Sequence, residues 1–355
     1  MYCILKDLGL LTELLCIEAF KNIPIGVTSL DLSWNNLHSK SGLELERLFK
    51  IIPKSVTSLF LPWNQLGNRS GDELSLAFAA ISPGVTSLDL GFNQLGSMPG
   101  TDLIKVLAAI PPNVTSLRLT YNNLSSRSGE ELAQAFAVIP MNLTSLDLGF
   151  NNLDSKTGAE LAQAFRNIPS GVTTLILREN NLHRKSGIEL AMAFNAIPRT
   201  VTSLDLSYND LGCKSGAEVA LVFKGIPSGV TSLNLFKCEL QDLSIEKLTQ
   251  LSNSLPMIHT IYLSESELIK MTGTQRAALK AIFPNIQDVI VLDKSGKALG
   301  GNNLQSCAYF ANKLGLTREA PSLKSQAAFF VKHNEELNNN MNCLPGELKS
   351  FINNF

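Results

Sequence analysis

A six-residue phrase, Val-Thr-Ser-Leu-x-Leu, recurs through the chain with a constant period. Its copies and close variants begin 29 residues apart, at Val27, Val56, Val85, Val114, Leu143, Val172, Val201 and Val230. A fixed period of this length is typical of a solenoid, in which each unit buries its apolar face against its neighbours. Because no unit gains or loses a residue, we expect equivalent positions to align in straight columns along the stack.

Each unit has the pattern of a strand followed by a helix. In the first copy, Leu30 and Leu32 alternate with polar residues, which is the two-residue period of a strand with one buried face. Ser41 and Glu44 have the spacing of a capping box, which starts a helix, and Pro53 ends that helix. The order strand, turn, helix, turn is therefore predicted for every unit.

An asparagine follows each strand at the same position of the unit. An Asn amide both donates and accepts hydrogen bonds, so it suits a turn where the backbone loses its partners in the sheet. We therefore predict a structural role for this column, which Cys238 continues at the eighth unit: Asn35, Asn64, Asn93, Asn122, Asn151, Asn180 and Asn209.

The pattern Leu-x-Leu-x-x-Asn-x-Leu with a helix in each unit resembles leucine-rich repeats of the ribonuclease-inhibitor-like class. The resemblance implies an α/β horseshoe with a parallel sheet on the concave face and helices on the convex face. The spacing of apolar residues in 297–355 predicts C-terminal helices, which would cap the end of the sheet or form a separate binding or signal element. The predicted divisions are an N-terminal partial repeat and helix (1–26), eight regular repeats (27–255), two degenerate repeats (256–296) and a helical cap or tail (297–355).

An aromatic column is the first candidate for a binding surface. It comprises Trp34, Trp63, Phe92, Tyr121 and Phe150, and it continues with Glu179 and Tyr208. Neighbouring strands lie about 4.8 Å apart, so the five rings would form a ladder about 20 Å long. The rings could instead cover the turns and shield the Asn column, although a carboxylate at Glu179 argues against a wholly internal position.

Two further columns are expected to lie on the concave face. Aspartate alternates with variable residues between the two strand leucines: Asp31, Phe60, Asp89, Arg118, Asp147, Ile176 and Asp205. The column two residues along is mostly small but contains Arg178 and Phe236. The aspartates could simply solvate the sheet, whereas apolar residues on the same face favour a partner. We predict that these residues and the aromatic column bind a protein.

A basic column precedes the helix caps. We expect it to form a solvated rim without a specific role: Lys40, Arg69, Arg127, Lys156, Lys185 and Lys214.

Composition limits the classes of partner. The formal net charge is −1, which provides no general attraction for nucleic acid or anionic lipid. No apolar run is long enough for a membrane span, the six cysteines are scattered as free thiols, and no cofactor-binding or metal-binding motif occurs. We expect a protein that is monomeric on its own and binds one protein partner.

An enzyme is the alternative from a different class. Asp154 and His183 share a column, and Cys213 lies one residue beyond it in the next unit, an order that could activate a thiol. No oxyanion donor is evident and the residues lie at a turn, so we do not assign them a catalytic role. An activity in the C-terminal helices is a further form of this alternative.

The repeat phrasing also resembles bacterial leucine-rich-repeat effectors of the Legionella type. This resemblance implies type IV secretion from the bacterial cytoplasm into the host cytoplasm, and binding of a host protein or a fellow effector. Glu335, Glu336, Glu347 and Ile352 are compatible with a polar C-terminal secretion signal. A non-enzymatic binding module is therefore the first hypothesis, and an inhibitor that blocks an enzyme active site is a special form of it.

Overall fold

The computed structural model describes residues 1–255 and 257–299. These residues form one parallel sheet of eleven strands, in which each strand pairs only with its neighbours in the chain. The strands are β1 (Tyr2–Ile4), β2 (Ser29–Asp31), β3 (Ser58–Phe60), β4 (Ser87–Asp89), β5 (Ser116–Arg118), β6 (Ser145–Asp147), β7 (Thr174–Ile176), β8 (Ser203–Asp205), β9 (Ser232–Asn234), β10 (Thr260–Ser264) and β11 (Asp288–Leu292).

The constant period sets the register of the sheet. Leu30 pairs with Leu59, and Asp31 pairs with Phe60, so residues 29 positions apart lie side by side. Leu30 and Leu32 are fully buried on the helix side. Asp31 and the equivalent residues lie on the opposite side, which we call the concave face. The predicted parallel sheet with straight columns is confirmed.

A single 3₁₀ turn and then an α-helix follow each of the regular strands. The helices are α1 (Glu13–Lys21), α2 (Gly42–Lys50), α3 (Gly71–Ala79), α4 (Gly100–Ala108), α5 (Gly129–Ala137), α6 (Gly158–Arg166), α7 (Gly187–Asn195), α8 (Gly216–Gly225), α9 (Ile245–Gln250), α10 (Glu265–Lys270) and α11 (Gly273–Ile282).

The helix starts follow the capping prediction. Ser41 accepts a hydrogen bond from the Glu44 backbone, and the Glu44 side chain accepts one from the Ser41 backbone. Pro99 provides no side-chain cap for α4. In helices α2–α8 the residue after the cap is a glycine, because adjacent helices approach closely there. A Cβ on Gly71 would lie 2.6 Å from the Cα of Asp102.

The core lies between the sheet and the helices and runs through the whole stack. Each regular unit adds strand leucines and one large residue from the helix, such as Phe49 or Phe78, whose rings are 6.5 Å apart. Because the core is continuous, every unit depends on its neighbours for burial of its apolar face.

The Asn column makes the structural contacts that its chemistry predicted. Asn64 Oδ1 accepts hydrogen bonds from the backbone N–H groups of Asn35 and Leu37 in the preceding unit. Its Nδ2 donates to the carbonyls of Leu32 and Leu61. At the eighth unit the thiol of Cys238 donates to the Leu206 carbonyl at 3.2 Å. Each amide thus joins two units through otherwise unpaired backbone groups.

The basic column is not a solvated rim, and that prediction was wrong. Lys40 and Lys214 are each only 5% exposed. The Lys40 ammonium donates to the Leu11 carbonyl, and Lys214 donates to the His183 carbonyl. Arg69 pairs with Glu73 of the adjacent cap. These long side chains extend to the preceding unit, where the ammonium groups donate hydrogen bonds to backbone carbonyls.

The two ends of the described chain depart from the regular pattern. β1 pairs with β2 at a spacing of 27 residues, so the first 26 residues contain a strand and helix α1. β10 pairs with β11 at a spacing of 28 residues. The predicted C-terminal helices in 297–355 lie outside the described residues, except for 297–299. None of the helices in 1–255 or 257–299 is long and apolar enough to cross a membrane.

Candidate binding surface on the concave face

The five aromatic side chains form a continuous stack. Trp34 and Trp63 have ring centroids 4.3 Å apart, and Trp63 and Phe92 are 4.0 Å apart. Phe92 and Tyr121 are 4.0 Å apart, and Tyr121 and Phe150 are 4.1 Å apart. The interplanar angles lie between 11° and 17°. We call these five residues the aromatic ladder.

The backbone of the turn places these rings in line. Each ladder residue has a positive φ, between 54° at Tyr121 and 60° at Trp34, which is the left-handed region. The Trp34 N–H donates to the Pro62 carbonyl in the next unit. Identical turns therefore project the rings in one direction, with the spacing of the sheet.

The ladder does more than cover the Asn column. Trp34 is 67% exposed, and Trp63 and Tyr121 are 38% and 41% exposed. Phe92 and Phe150 are half-buried. Large exposed aromatic surfaces on a rigid scaffold are common at the centres of protein interfaces.

An arginine side chain lies over the last ring of the ladder. The guanidinium carbon of Arg178 lies 5.4 Å from the centroid of the Phe150 ring. Glu179, at the next position of the aromatic column, is half-buried. Burial raises the pKa of Glu179, the nearby Asp210 carboxylate raises it further, and Arg178 opposes both effects.

Two buried aspartates flank the ladder and share arginine partners. Arg118 Nη1 lies 2.9 Å from Asp89, and Arg118 Nε lies 3.4 Å from Asp147. Arg178 lies 3.8 Å from Asp147. Burial raises the pKa of Asp147, although the Gly149 N–H and both arginines lower it. This row is a connected set of charges in which each buried carboxylate has a partner.

Four of the five ladder rings, together with Asp89, Arg118 and Arg178 of the charged row, line one open hollow of about 770 Å³. Of the sequence-predicted site residues, it brings together Asp31, Trp34, Trp63, Asp89, Phe92, Arg118, Tyr121 and Arg178. Ser33, Pro62 and Thr120 also line it. These belong to the column of small residues, and their size leaves the hollow open.

The N-terminal part of the concave face is connected to β1. Tyr2 donates a hydrogen bond to Asp31 at 2.5 Å, which raises the pKa of Tyr2 to about 12. The Tyr2 ring also meets Phe60 edge-on at 6.2 Å. Tyr2 is not among the residues predicted from the sequence, because β1 lacks the leucine pattern of the repeats; its pairing with Ser29 of β2 places it on the concave face.

The hollow is not lined by four further predicted residues: Ile176, Asp205, Tyr208 and Phe236. Tyr208 and Phe236 meet edge-on at 5.2 Å, with the Lys237 ammonium 4.9 Å from the Tyr208 centroid. Phe236 is only 2% exposed and cannot contact a partner directly, so that prediction was wrong. A Cβ on Gly296 would lie 3.7 Å from its ring, because the chain after β11 passes beside it. Ile176 and Asp205 are half-buried in β7 and β8.

The enzyme alternative at Cys213 finds no support in the geometry. Asp154 pairs with Arg184, and His183 Nδ1 lies 3.8 Å from Asp210. Burial raises the pKa of the Cys213 thiol, and the carboxylates of Asp210, Asp242 and Glu239 raise it further, which disfavours the thiolate. In the described chain, no group of three or more His, Cys, Asp or Glu residues could hold a metal ion.

Comparisons with known proteins agree with the repeat architecture. The family described as Leucine Rich repeat matches residues 27–45, 111–133, 140–162 and 198–218. The crystal structure of the leucine-rich repeat-containing protein LegL7 from Legionella pneumophila is 44% identical, with a TM-score of 0.81. That match covers 91% of this chain and 100% of LegL7.

A second solved structure, the Rad7 and Elc1 complex in yeast, is more distant. It is 14% identical, with a TM-score of 0.49, and the match covers 84% of this chain and 71% of that one. No curated protein sequence matches the chain significantly. The repeats, the parallel sheet and the likeness to LegL7 together show that the chain belongs to the leucine-rich-repeat proteins and resembles those of Legionella.

Proposed function

We propose that this protein is a non-enzymatic binding module that holds one protein partner on the aromatic ladder and the adjoining charged row. Leucine-rich-repeat proteins are typically interaction modules rather than enzymes. The observation that carries the proposal is the stack of five rings beside the Asp89–Arg118–Asp147 network, because four of these rings, Asp89 and Arg118 line one open hollow.

Preorganisation supports this proposal. The ring positions are set by the sheet, and the charged side chains are held by ion pairs, so a partner would order little on binding. An interface that needs little ordering keeps more of its contact free energy as affinity. Exposed aromatic faces would provide contact area, and partly desolvated charges would provide orientation.

The biological setting is also part of the proposal. On the basis of the likeness to a Legionella protein, we propose a type IV secreted virulence effector that is made in the bacterial cytoplasm and acts in the host cytoplasm. Its partner would be a host protein or a fellow effector, and the free protein would be monomeric. If the partner is an enzyme whose active site enters the hollow, binding would inhibit it.

The test is differential capture from host-cell lysate with two immobilised double variants. Trp63→Ala with Tyr121→Ala removes two exposed rings from the ladder. Met192→Ala with Leu221→Ala removes a similar amount of exposed apolar surface from helices α7 and α8. Captured proteins are identified by mass spectrometry, and the affinity of a purified candidate is then measured for each variant.

The proposal expects the concave variant to lose about 2 kcal/mol or more of binding free energy. The helix-face variant should bind like the unchanged protein. Both variants should retain their circular dichroism spectrum, since neither change reaches the core. Equal affinity of the folded concave variant and the unchanged protein, or equal loss in the two variants, would overturn the proposal.

A further inference from the structure

Asp7 occupies the position of the aromatic column that precedes Trp34. In the β1–β2 register, Ile4 pairs with Asp31, so residue 7 corresponds to residue 34. Asp7 has a φ of 63°, which matches the left-handed turn of the ladder residues. Leu8 N–H donates to Asn35 Oδ1, as the equivalent Asn35 N–H donates to Asn64. The ladder therefore begins with a carboxylate.

One face of the Trp34 ring lies open beside this carboxylate. Trp63 stacks on the other face, and within the described residues no further ring or cation lies over Trp34. The side chain of Asp7 starts in the same direction as Trp34, about 4.8 Å away. It is too short to cover the indole. The open indole face and the Asp7 carboxylate therefore border one exposed space, which we call the slot.

The opposite end of the ladder has a comparable arrangement of an aromatic ring and a carboxylate. There, Phe150 is the last ring, Glu179 is the next residue of the column, and the Arg178 guanidinium lies over the ring at 5.4 Å. Arg178 also affects the carboxylate electrostatically, since it lowers the pKa of Glu179. The two ends share an aromatic face and a carboxylate. The residue before the carboxylate is Arg178 at one end and Lys6 at the other, and within the described chain only Arg178 lies over a ring of the ladder.

We infer that the slot between Trp34 and Asp7 binds an arginine side chain of the partner protein. The inference rests on the proposed function and specifies one contact of the same interface. The guanidinium would stack on the open indole face and donate to the Asp7 carboxylate. Cation–π stacking is strongest on tryptophan, and a planar guanidinium matches both the ring and the carboxylate.

Neighbouring charges favour arginine over the alternatives. Asp31 adds a second carboxylate on this part of the face, although Tyr2 donates to it and Lys6 lies nearby. A neutral aromatic side chain would gain nothing from Asp7, and a lysine ammonium would donate to Asp7 without a planar face to stack.

The two tryptophans of the chain provide a matched pair of probes. The protein contains Trp34 and Trp63 and no other tryptophan, so it gives two indole N–H signals in nuclear magnetic resonance. Trp34 has the open face, whereas Trp63 is enclosed between Trp34 and Phe92. Capped peptides Gly-Gly-X-Gly-Gly, with X as arginine, citrulline, lysine or phenylalanine, are titrated into the labelled full chain.

We expect the Trp34 signal to shift roughly two- to fivefold more with the arginine peptide than with the citrulline peptide at the same millimolar concentration. Citrulline has the shape of arginine without its charge. Asp7→Asn should remove most of this difference, and Trp34→Phe should leave the Trp63 signal insensitive to the peptides. Equal shifts for arginine and citrulline, equal shifts of both tryptophans, or a stronger effect of phenylalanine that Asp7→Asn does not alter would overturn it.

The two proposals fail in different ways. If capture depends on Trp63 and Tyr121 while the arginine peptide shows no preference for Trp34, the concave interface stands and only the arginine slot fails. If the peptide prefers Trp34 but capture is the same for all variants, the slot stands as a guanidinium site and the proposed function fails. For an identified partner, Asp7→Asn should weaken binding about two- to fivefold.

Discussion

Trp63 stacks on Phe92 at 4.0 Å even though both residues hold a left-handed backbone conformation that disfavours aromatic side chains. Such a conformation costs a non-glycine residue about 1–2 kcal/mol. The ladder therefore combines a local backbone cost with contacts between units. This combination makes glycine and alanine substitutions at a ladder position distinguishable.

We predict that Trp63→Gly is more stable than Trp63→Ala by about 1 kcal/mol. Both changes remove the ring, but only glycine adopts a φ of 60° without strain. Leu76 in helix α3 is the control because its helical backbone favours alanine, so Leu76→Gly should be less stable than Leu76→Ala by about 1 kcal/mol. Urea unfolding measures all four variants. The same order of glycine and alanine at both positions would contradict the strained turn.

The Asn column should tolerate a thiol better than a methyl group. Asn122 accepts hydrogen bonds from the Asn93 and Leu95 N–H groups and donates to the Leu90 carbonyl. Asn122→Ala should cost about 1–3 kcal/mol of stability, because these buried groups lose their partners. Asn122→Cys should cost less, since Cys238 fills the same position naturally. Unfolding under reducing conditions tests the order, and partner binding should persist while each variant is folded.

Glu267 should make the protein less stable as pH rises. It is 4% exposed, and burial and the Glu239 carboxylate raise its pKa from 4.5 to about 7, while Lys270 opposes this. A carboxyl group with a higher pKa in the folded state binds its proton more tightly there. Its contribution to the free energy of unfolding is therefore fully present below pH 4.5 and is lost as pH rises through 7. The total loss is roughly 3 kcal/mol.

The measurement for Glu267 is the unfolding free energy of the unchanged protein and of Glu267→Gln between pH 4.5 and pH 8. Carboxylates with lowered pKa values, such as Glu189, occur in both proteins and cancel in the difference. The difference should change by roughly 3 kcal/mol across this range, in favour of the variant at high pH. A constant difference would show that the pKa of Glu267 is not raised in the folded protein.

The delivery prediction concerns the last nine residues. Removing 347–355 should abolish translocation in a type IV secretion assay, if the signal lies at the C-terminus as the effector resemblance implies. The repeats lie far from this segment in sequence, so the shortened protein should still bind its partner. A shortened protein that is translocated normally would argue against a C-terminal signal. A shortened protein that aggregates would show that the segment contributes to the fold.

Much of the fold followed from the period, because each unit repeats the same local rules. Leu30, Ser41 and Pro53 specify strand, helix start and helix end without reference to distant residues. Contacts that span units were harder to predict. The burial of Lys214 and the position of Arg178 over Phe150 depend on the conformations of long side chains. The repeat pattern does not predict these conformations.

The burial of Phe236 required knowledge of a segment about sixty residues later in the chain. Its column contains mostly small and polar residues in the other units, and this pattern gave no sign that a phenylalanine at the same position would be buried. The chain that follows β11 passes beside it, and this connection interrupts the repeat pattern from which its exposure was inferred. Irregular segments thus determine where the regular surface remains accessible.

Because all regular units have the same length, the ladder can be shortened or extended only by complete units of 29 residues. Deleting 85–113, one complete unit, would remove Phe92 and bring Trp63 beside Tyr121 in the same register. The two ends, with their carboxylates, would remain but lie closer by about 4.8 Å. A partner that contacts both ends would sense this as a change of distance, whereas a partner that contacts one end would not. The number of repeats therefore sets the distance between the two ends of the ladder, and successive unit deletions would show whether a partner depends on that distance.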